Sequence, residues 1–434
     1  MQAADRSRRG GMLVALDARI PRGQWGGVQQ VVEGLASGLG GMDGPDEFVF
    51  LTERGGAEWL GPWLGANSRV VETSTGYGRT SPRRAYDAVT YRLPLVARAA
   101  RGAASRLGRV ALPLPKSNGF VEGLGVDLVH FTTPQAYRTV LPSVYQPHDL
   151  LHRHHAEQFS PVHVRYREHA YRTFSERASI VSVMTEFGRQ DVLDAWALPA
   201  DRVAVVPWAP VAGTHGGSSS GPGTPKLPPG LPDRYIVYPA QTWPHKNHLR
   251  LIEALAELRQ RGTTIPLVAT GRPTEYMGVI RRRVDELGLG SQVSFVGYLA
   301  PAELDAVLAH STALVFPSLF EGWGLPVVEA FSLGIPVACS NVAALPEVAN
   351  GAALLFDPEN TDAIAGAVLR VWEDEALRDD LCRRGRARAG ELSWDKTART
   401  FRSIYRLVAG RTLTEEDRVL LGPPTFLSMP KAAG

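Results

Sequence analysis

Cysteine is scarce in this chain, and the long apolar runs of secreted or membrane-spanning proteins are missing as well. Only Cys339 and Cys382 occur among 434 residues, too few for a disulfide framework or a four-cysteine zinc site. The apolar stretch near the start, Met12 to Leu16, ends at Asp17 and is too short for the hydrophobic region of a signal peptide. No uncharged run reaches the roughly 18 apolar residues of a membrane-spanning helix. These absences predict a cytoplasmic protein.

An excess of charge of one sign is also missing. The 47 Lys and Arg residues nearly balance the 44 Asp and Glu residues, which leaves a formal charge of +3. So small a net charge argues against a nucleic-acid partner. The G-x-G-x-x-G fingerprint, the Walker G-x-x-x-x-G-K-[ST] loop and any D-x-D pair are absent too. Their absence argues against dinucleotide dehydrogenases, P-loop NTPases and sugar transferases that hold a diphosphate through an aspartate-bound metal ion.

Length and patterning favour two α/β domains. A chain of 434 residues is too long for one core, so two domains of roughly 200 residues each are expected. Short apolar runs, such as Met12 to Leu16, Phe48 to Leu51 and Val126 to Phe131, alternate with helix-like segments. This alternation is typical of a parallel sheet with crossover helices.

Residues 211–233 are dense in Gly, Ser and Pro and contain few bulky apolar side chains. That composition is typical of a flexible interdomain linker or of a tolerated surface insertion. We therefore divide the chain into an N-terminal domain (1–207), a linker (208–232), a C-terminal domain (233–395) and a terminal helix with its tail (396–434).

The segment ALVFPSLFEGWGLPVVEAFSLG, residues 313–334, carries the strongest functional signal. It predicts a strand, a Gly-containing turn and a helix with Pro326 in its first turn. The unpaired amides and the positive dipole end of such a helix suit a diphosphate. Glu321 lies in the turn and Glu329 follows eight positions later. Either carboxylate alone is compatible with a helix-start acid, but both together suit the binding of vicinal sugar hydroxyls.

A cation and a glycine loop are predicted to accompany this segment. Lys246 lies between the apolar strand YIVYPA and an amphipathic helix, where it can neutralise a leaving diphosphate; alone, such a lysine is usually solvated. Gly26 and Gly27 follow the first strand and precede a helix. Their backbone can approach a ligand closely, or form an ordinary flexible loop.

Six of the eleven histidines lie between residues 148 and 169. A metal site is disfavoured there, because the segment has neither an H-E-x-x-H motif nor a nearby cysteine. His148 differs from the others because it follows the predicted strand LPSVYQ. The carboxyl end of a strand faces the ligand crevice of a doubly wound sheet, although a satisfied interior histidine is the alternative.

These segments together resemble family 4 of the retaining glycosyltransferases, enzymes of the group 1 type with the GT-B fold. The resemblance is carried by F-P-S-x-x-E-G-x-G-L-P-x-x-E-A, which is similar to the E-x7-E signature, by P-H-K-N-H around Lys246, by the Gly-Gly loop and by the His-Asp pair at His148. It covers about residues 11–27 and 120–408. It implies two Rossmann-like domains with parallel sheets facing a central cleft, the nucleotide-diphosphate sugar held mainly by the C-terminal domain and the acceptor by the N-terminal one.

The resemblance also implies roles for single residues. The catalytic residues would be His148, Lys246 and Glu321, with Lys246 on the diphosphate and Glu321 on the sugar hydroxyls. The donor-binding residues would be Gly26, Gly27, Gln241, Arg272, Ser318, Gly322, Gly324, Leu325 and, on the ribose, Glu329; the backbone of 293–304 would receive the base. Gln241 stands where many members have arginine, so Lys246 would act alone or with Arg272. Neither a metal nor another cofactor is implied.

The predicted function is a retaining, metal-independent glycosyltransferase. It would move a hexose, mannose or rhamnose by this resemblance, from a nucleotide-diphosphate sugar to a hydroxyl of a glycan, lipid-linked or small-molecule acceptor. Two alternatives remain open: a GT-B sugar-nucleotide epimerase or hydrolase, and a non-catalytic binding module with the same fold.

One segment departs from the low net charge. Residues 79–116 hold nine basic residues and the single acid Asp87, interleaved with apolar residues such as Tyr86 and Leu95. This pattern is typical of a basic amphipathic helix on an anionic membrane surface, or of a solvated helical face in an insertion. Peripheral contact with the inner face of the membrane is therefore a second expectation for location.

Overall fold

The computed structural model describes residues 10–20, 27–73, 113–210 and 227–422. Gly26, residues 79–112 of the basic segment and residues 211–226 of the predicted linker lie outside these ranges, so the predictions made for them stay predictions. In the described part of the chain, no helix is both long enough and apolar enough to cross a bilayer.

The described residues form two sets of parallel strands with helices between them. The strands are β1 (Leu13–Asp17), β2 (Glu47–Thr52), β3 (Ser68–Glu72), β4 (Leu128–Phe131), β5 (Ser143–Tyr145), β6 (Ile180–Val183), β7 (Val203–Val205), β8 (Ile236–Pro239), β9 (Leu267–Thr270), β10 (Val293–Gly297), β11 (Ala313–Phe316), β12 (Val337–Ser340) and β13 (Leu354–Phe356). The α-helices are α1 (Gly27–Gly40), α2 (Gly56–Leu60), α3 (Leu151–His154), α4 (Pro161–Arg177), α5 (Glu186–Trp196), α6 (His248–Gln260), α7 (Met277–Glu286), α8 (Pro301–Ala309), α9 (Leu325–Leu333), α10 (Leu345–Ala349), α11 (Thr361–Glu373), α12 (Glu375–Gly390), α13 (Trp394–Val408) and α14 (Glu415–Leu421).

The chain divides into two compact units. The first contains the residues up to Val183, Arg189–Val206 and the segment from Asp395 onward, and the second contains Met184–Gly188 and Pro207–Trp394. The second unit is therefore nearly continuous in sequence, whereas the first is assembled from segments at both ends of the chain.

The sheet of the first unit has the strand order β3-β2-β1-β4-β5-β6-β7, and all its neighbouring strands are parallel. Its central strands are fully buried, because parallel strands covered on both faces are nearly continuous apolar runs. The order reverses between β1 and β4, and such a reversal opens a ligand crevice at the carboxyl ends of the two strands.

The sheet of the second unit repeats this arrangement with the order β10-β9-β8-β11-β12-β13, again entirely parallel. Its reversal lies between β8 and β11. The two sheets confirm the predicted α/β class. The apolar runs from which strands were predicted coincide with β1, β2 and β4 to within two residues at each end.

Helix α13, near the end of the chain, packs into the core of the first unit. The hydroxyl of Tyr405 donates to Nδ1 of His130 at 2.6 Å, and Nε2 of His130 donates to Gln146 Oε1 at 3.0 Å. Burial lowers the pKa of His130 to about 3, so the ring is neutral and can make both bonds. Arg402 also pairs with the buried Asp46 at 2.7 Å. These contacts make α13 an integral part of the first unit.

Candidate functional site

Most of the predicted site residues of the second unit lie where the strand order reverses. After β8 the chain passes Gln241 and the short 3₁₀ turn Pro244–Lys246 before entering α6. After β11 it passes Ser318 and Glu321 before entering α9. The fold thus places two sequence segments about 75 residues apart at the edge where doubly wound sheets bind ligands.

Lys246 and Glu321 form a direct ion pair at this edge. The ammonium group of Lys246 donates to Glu321 Oε1 at 2.6 Å, and the two side chains are only 18% and 12% exposed. The Lys246 nitrogen also lies 5.9 Å from the ring centre of Phe316. Removing two charges from water costs about as much free energy as their pairing returns, so fold stability alone does not account for the pair.

A helix begins shortly after each residue of the ion pair. Helix α6 begins after Asn247 and helix α9 after Gly324, both in the left-handed region with φ of 60° and 92°. In the described part of the chain, no side chain caps either start, and neither first turn contains an acid. A helix start of this kind favours an anion through its dipole and, in α6, through its first-turn amides. The predicted helix with Pro326 in its first turn is confirmed by α9.

Glycine is required at Gly271 because three loops meet there. Its φ is 120°, and a Cβ at this position would lie 2.4 Å from the carbonyl oxygen of Ala240. The Gly271 amide donates to the carbonyl of Gly297 at 2.7 Å. The loops that follow β8, β9 and β10 are therefore held close together at the carboxyl edge of the sheet.

Gln241 and Arg272, both predicted to bind the donor and the second also to assist Lys246, contact aromatic residues. The side-chain oxygen of Gln241, Oε1, accepts a hydrogen bond from the indole of Trp243 at 2.8 Å, and the guanidinium of Arg272 lies over the ring of Tyr298 at 4.7 Å. Both aromatic side chains are about half exposed, at 44% and 50%. The loops after β8 and β10 thus present flat apolar surface at the carboxyl edge of the sheet.

The other predicted donor-binding residues lie in or just after the loop that contains Glu321. Gly322 belongs to the loop itself, Leu325 is the first residue of α9, and Glu329 is in the second turn of that helix. Ser318, Leu325 and Glu329 are all buried. The contact of Glu329 with a ribose stays a prediction.

A cavity of about 80 Å³ lies at the carboxyl ends of β8, β9 and β10, and the sequence alone did not reveal it. Thr242, His248, Thr270 and Arg281 are its polar lining residues, beside apolar ones such as Phe295. The ring of His248 is 2% exposed, and neither of its nitrogens has a hydrogen-bond partner within the described ranges. Buried polar groups are nearly always satisfied, so this imidazole points to a ligand or to water in the cavity.

In the first unit, His148 lies near the strand reversal, three residues after β5. Its Nε2 donates to the carbonyl of Thr132 at 2.9 Å, and the Thr132 hydroxyl donates to the carbonyl of Asp17 at 2.6 Å. The residue has a left-handed φ of 65°, a strain of about 1–3 kcal/mol for a residue other than glycine. Burial lowers the pKa of His148, which leaves the ring neutral at pH 7. Gly27 begins α1.

A buried ion pair at the end of β1 was also not foreseen. Arg19 donates from Nε to one oxygen of Asp17 at 2.7 Å and from Nη2 to the other at 2.5 Å, and both side chains are 8% exposed. The Arg19 guanidinium lies 5.3 Å from the ring centre of Tyr137. The only signal in the sequence is an Asp-Ala-Arg triplet directly after the first apolar run.

The histidines between 148 and 169 do not converge on one point. His152 lies 3.4 Å from Glu168, His154 lies 2.8 Å from Asp191 and His155 lies 3.1 Å from Glu157. Within residues 10–20, 27–73, 113–210 and 227–422, no three His, Cys, Asp or Glu side chains are grouped so that they could hold a metal ion.

The pKa of His248 gives a test of its environment. Burial, with a smaller contribution from the charge of Lys246, lowers this pKa to about 3, whereas it is about 6.5 in an unfolded chain. Between these values only the unfolded state binds the proton, so falling pH lowers the free energy of unfolding by up to about 1.4 kcal/mol per pH unit. We expect His248→Phe to weaken this dependence, and to cost little stability at pH 7 because the ring makes no hydrogen bond to another described residue. Urea unfolding at pH 7, 6 and 5 measures it.

The exposed His310 provides the matched control. His310→Gln removes an imidazole that lies at the surface, at the end of α8, and its unfolding is measured at the same pH values for comparison. Equal slopes for His248→Phe and the wild type below pH 6.5 would contradict the assignment of a neutral, buried imidazole at position 248.

Comparison with known proteins identifies relatives that span part of the chain. Residues 225–388 match the family model of the group 1 glycosyl transferases. O-antigen chain mannosyltransferase B of Escherichia coli is 29% identical over 259 residues, which are 56% of this chain and 65% of that protein. The serotype-specific mannosyltransferase WbdA of Escherichia coli is 35% identical over 174 residues, 39% of this chain and 21% of that protein. The chain therefore spans less than two thirds of the length of either relative.

The fold is similar over nearly the whole chain. WaaG, a glycosyltransferase involved in lipopolysaccharide biosynthesis, matches with a TM-score of 0.61 at 15% sequence identity, covering 91% of this chain and 99% of WaaG. This likeness confirms the predicted GT-B fold class. The resemblance to enzymes of the group 1 type is confirmed for residues 225–388, which match the family model of the group 1 glycosyl transferases.

Proposed function

We propose that this protein is a retaining, metal-independent mannosyltransferase that transfers mannose from a nucleotide-diphosphate sugar to an acceptor hydroxyl in glycan synthesis. The observation that supports this proposal best is the Lys246–Glu321 ion pair at the strand reversal of the second unit. The names of the two Escherichia coli relatives favour mannose as the sugar.

The second unit offers separate groups for each part of the donor. Lys246 and the first-turn amides of α6 bind the diphosphate, since a cation and a helix start both favour anions. Glu321 accepts hydrogen bonds from sugar hydroxyls while it remains next to the ammonium group. The cavity lined by Thr242 and His248 receives the nucleobase end, which a neutral imidazole can meet with one donor and one acceptor.

The reaction breaks the bond between the sugar C1 and the diphosphate oxygen. Negative charge grows on the departing oxygen, and Lys246 together with the α6 dipole stabilises it. The acceptor hydroxyl attacks C1 from the face that the diphosphate leaves, and its proton passes to the leaving phosphate. No side chain then has to serve as general base, and Nε2 of His148 donates to the Thr132 carbonyl.

The first unit is the proposed place of the acceptor. His148, Gly27 and the Asp17–Arg19 pair lie at the carboxyl ends of its strands, where a parallel sheet binds ligands. Contact of residues 79–116 with an anionic membrane stays a prediction, as does a cytoplasmic location.

Incubation with a panel of GDP-, UDP- and dTDP-sugars, with and without a mannose-containing acceptor, tests the function. We expect nucleoside diphosphate release that requires the acceptor, survives EDTA, and gives a product with the anomeric configuration of the donor. Release or epimerisation without acceptor would instead assign a hydrolase or epimerase. Donor binding without turnover would assign a binding module, and an inverted anomer would overturn the retaining mechanism.

A further inference from the structure

Tyr238, in β8, contacts both segments of the candidate site, the turn that contains Lys246 and the segment that follows β11. Its side chain is completely buried. Its hydroxyl donates to the carbonyl oxygen of Lys246 at 2.5 Å and lies 3.3 Å from the hydroxyl of Ser318. Its ring packs edge-on against Phe316 at 5.6 Å and lies 4.7 Å from the ring of His248. One side chain thus joins the turn after β8 to the segment that follows β11.

Two further hydrogen bonds join the turn that contains Lys246 to the segment that follows β11. The amide of Leu319 donates to the carbonyl of His245 at 2.7 Å. The Asn247 side chain donates to the carbonyl of Pro317 at 3.0 Å. Both flanking residues of Lys246 are held by these bonds, and Tyr238 holds the carbonyl of Lys246 itself.

We propose that Tyr238 is a positioning residue for sugar transfer, acting through Lys246. This inference rests on the proposed function of Lys246 as the cation on the diphosphate. A lysine side chain is flexible, so the place of its ammonium group depends on how firmly its backbone is fixed. Small displacements of a charge from the reacting atoms lower a rate sharply. The Tyr238 hydroxyl fixes that backbone by its bond to the Lys246 carbonyl.

The variant Tyr238→Phe removes the hydroxyl and keeps the ring against Phe316 and His248. Tyr235→Phe is the matched control, because Tyr235 is equally buried and donates one hydrogen bond to the carbonyl of Val307 at 2.8 Å. We expect kcat to fall about 10-fold in Tyr238→Phe with KM for the donor changed less than threefold, and both constants to stay at the wild-type value in Tyr235→Phe. Equal losses in the two variants would overturn the proposal.

A second measurement separates positioning from a general loss of structure. In a Lys246→Met background the hydroxyl has no ammonium group to position, so Tyr238→Phe is expected to cause no further loss of kcat. A further 10-fold loss in that background would show that Tyr238 acts independently of Lys246 and would overturn the proposal.

Calorimetric binding of GDP and UDP provides a readout that does not need turnover. We expect Tyr238→Phe to weaken binding of the nucleoside diphosphate about fivefold in the wild-type background and not in the Lys246→Met background. If the wild type binds a nucleoside diphosphate but transfers no sugar, the proposed function fails while this comparison still tests the positioning. If neither background responds to Tyr238→Phe, the positioning role is wrong whatever the activity.

Discussion

Replacing Lys246 by methionine is expected to lower kcat for sugar transfer by about 10²-fold or more. Methionine keeps most of the length and apolar surface of the lysine stem but removes the ammonium group that lies 2.6 Å from Glu321. The charge that develops on the departing diphosphate would then be stabilised by the α6 start alone. Steady-state rates of nucleoside diphosphate release at saturating donor measure the effect.

The control for this variant is Lys396→Met on α13, where the lysine is exposed. We expect its kcat to equal that of the wild type. Circular dichroism and urea unfolding establish that Lys246→Met stays folded. A folded Lys246→Met with the wild-type kcat would remove Lys246 from the diphosphate site.

Replacing Glu321 by glutamine is expected to cause a loss of similar size, about 10²-fold in kcat. Glutamine keeps the shape of the side chain but loses the negative charge that holds the ammonium group of Lys246. In the proposed function this charge also strengthens the hydrogen bonds that Glu321 accepts from the donor hydroxyls. Because the two residues form one pair, the double variant Lys246→Met, Glu321→Gln should lose far less than the product of the single losses.

A loss of kcat in the double variant equal to the product of the two single losses would contradict this role of Glu321, because it would mean that the two residues act independently. Glu391→Gln serves as the matched control, because its exposed carboxylate also accepts from a basic side chain of the same unit, Arg388, at 2.5 Å. Removing this charge is expected to leave kcat unchanged.

Much of this architecture could be predicted from the sequence because it is recorded in local patterns. The apolar runs predicted β1, β2 and β4, and Pro326 after a glycine turn predicted the start of α9. Lys246 and Glu321 could each be selected from the segments around them. Their contact could not, because it depends on β8 and β11 being neighbours in the sheet, which no local pattern of either segment records.

The cavity and the buried groups are further examples of what local patterns omit. The space around His248 forms only when the loops after β8, β9 and β10 meet, and the close approach of Gly271 to Ala240 depends on strand order. The bond between His130 and Tyr405 joins residues 275 positions apart. Such contacts follow from the topology, which the sequence shows only through its resemblance to known enzymes.

The bond between His130 and Tyr405 also determines the order in which the protein can be completed during synthesis. A ribosome that has produced residues 1–394 has supplied all of the second unit, but the first unit still lacks α13 and the side chain of Tyr405 in its core. Until α13 is synthesised, part of the apolar interior of the N-terminal segment therefore stays uncovered, although every residue of the second unit is already present. Synthesis of the first unit thus begins before that of the second unit and is completed after it.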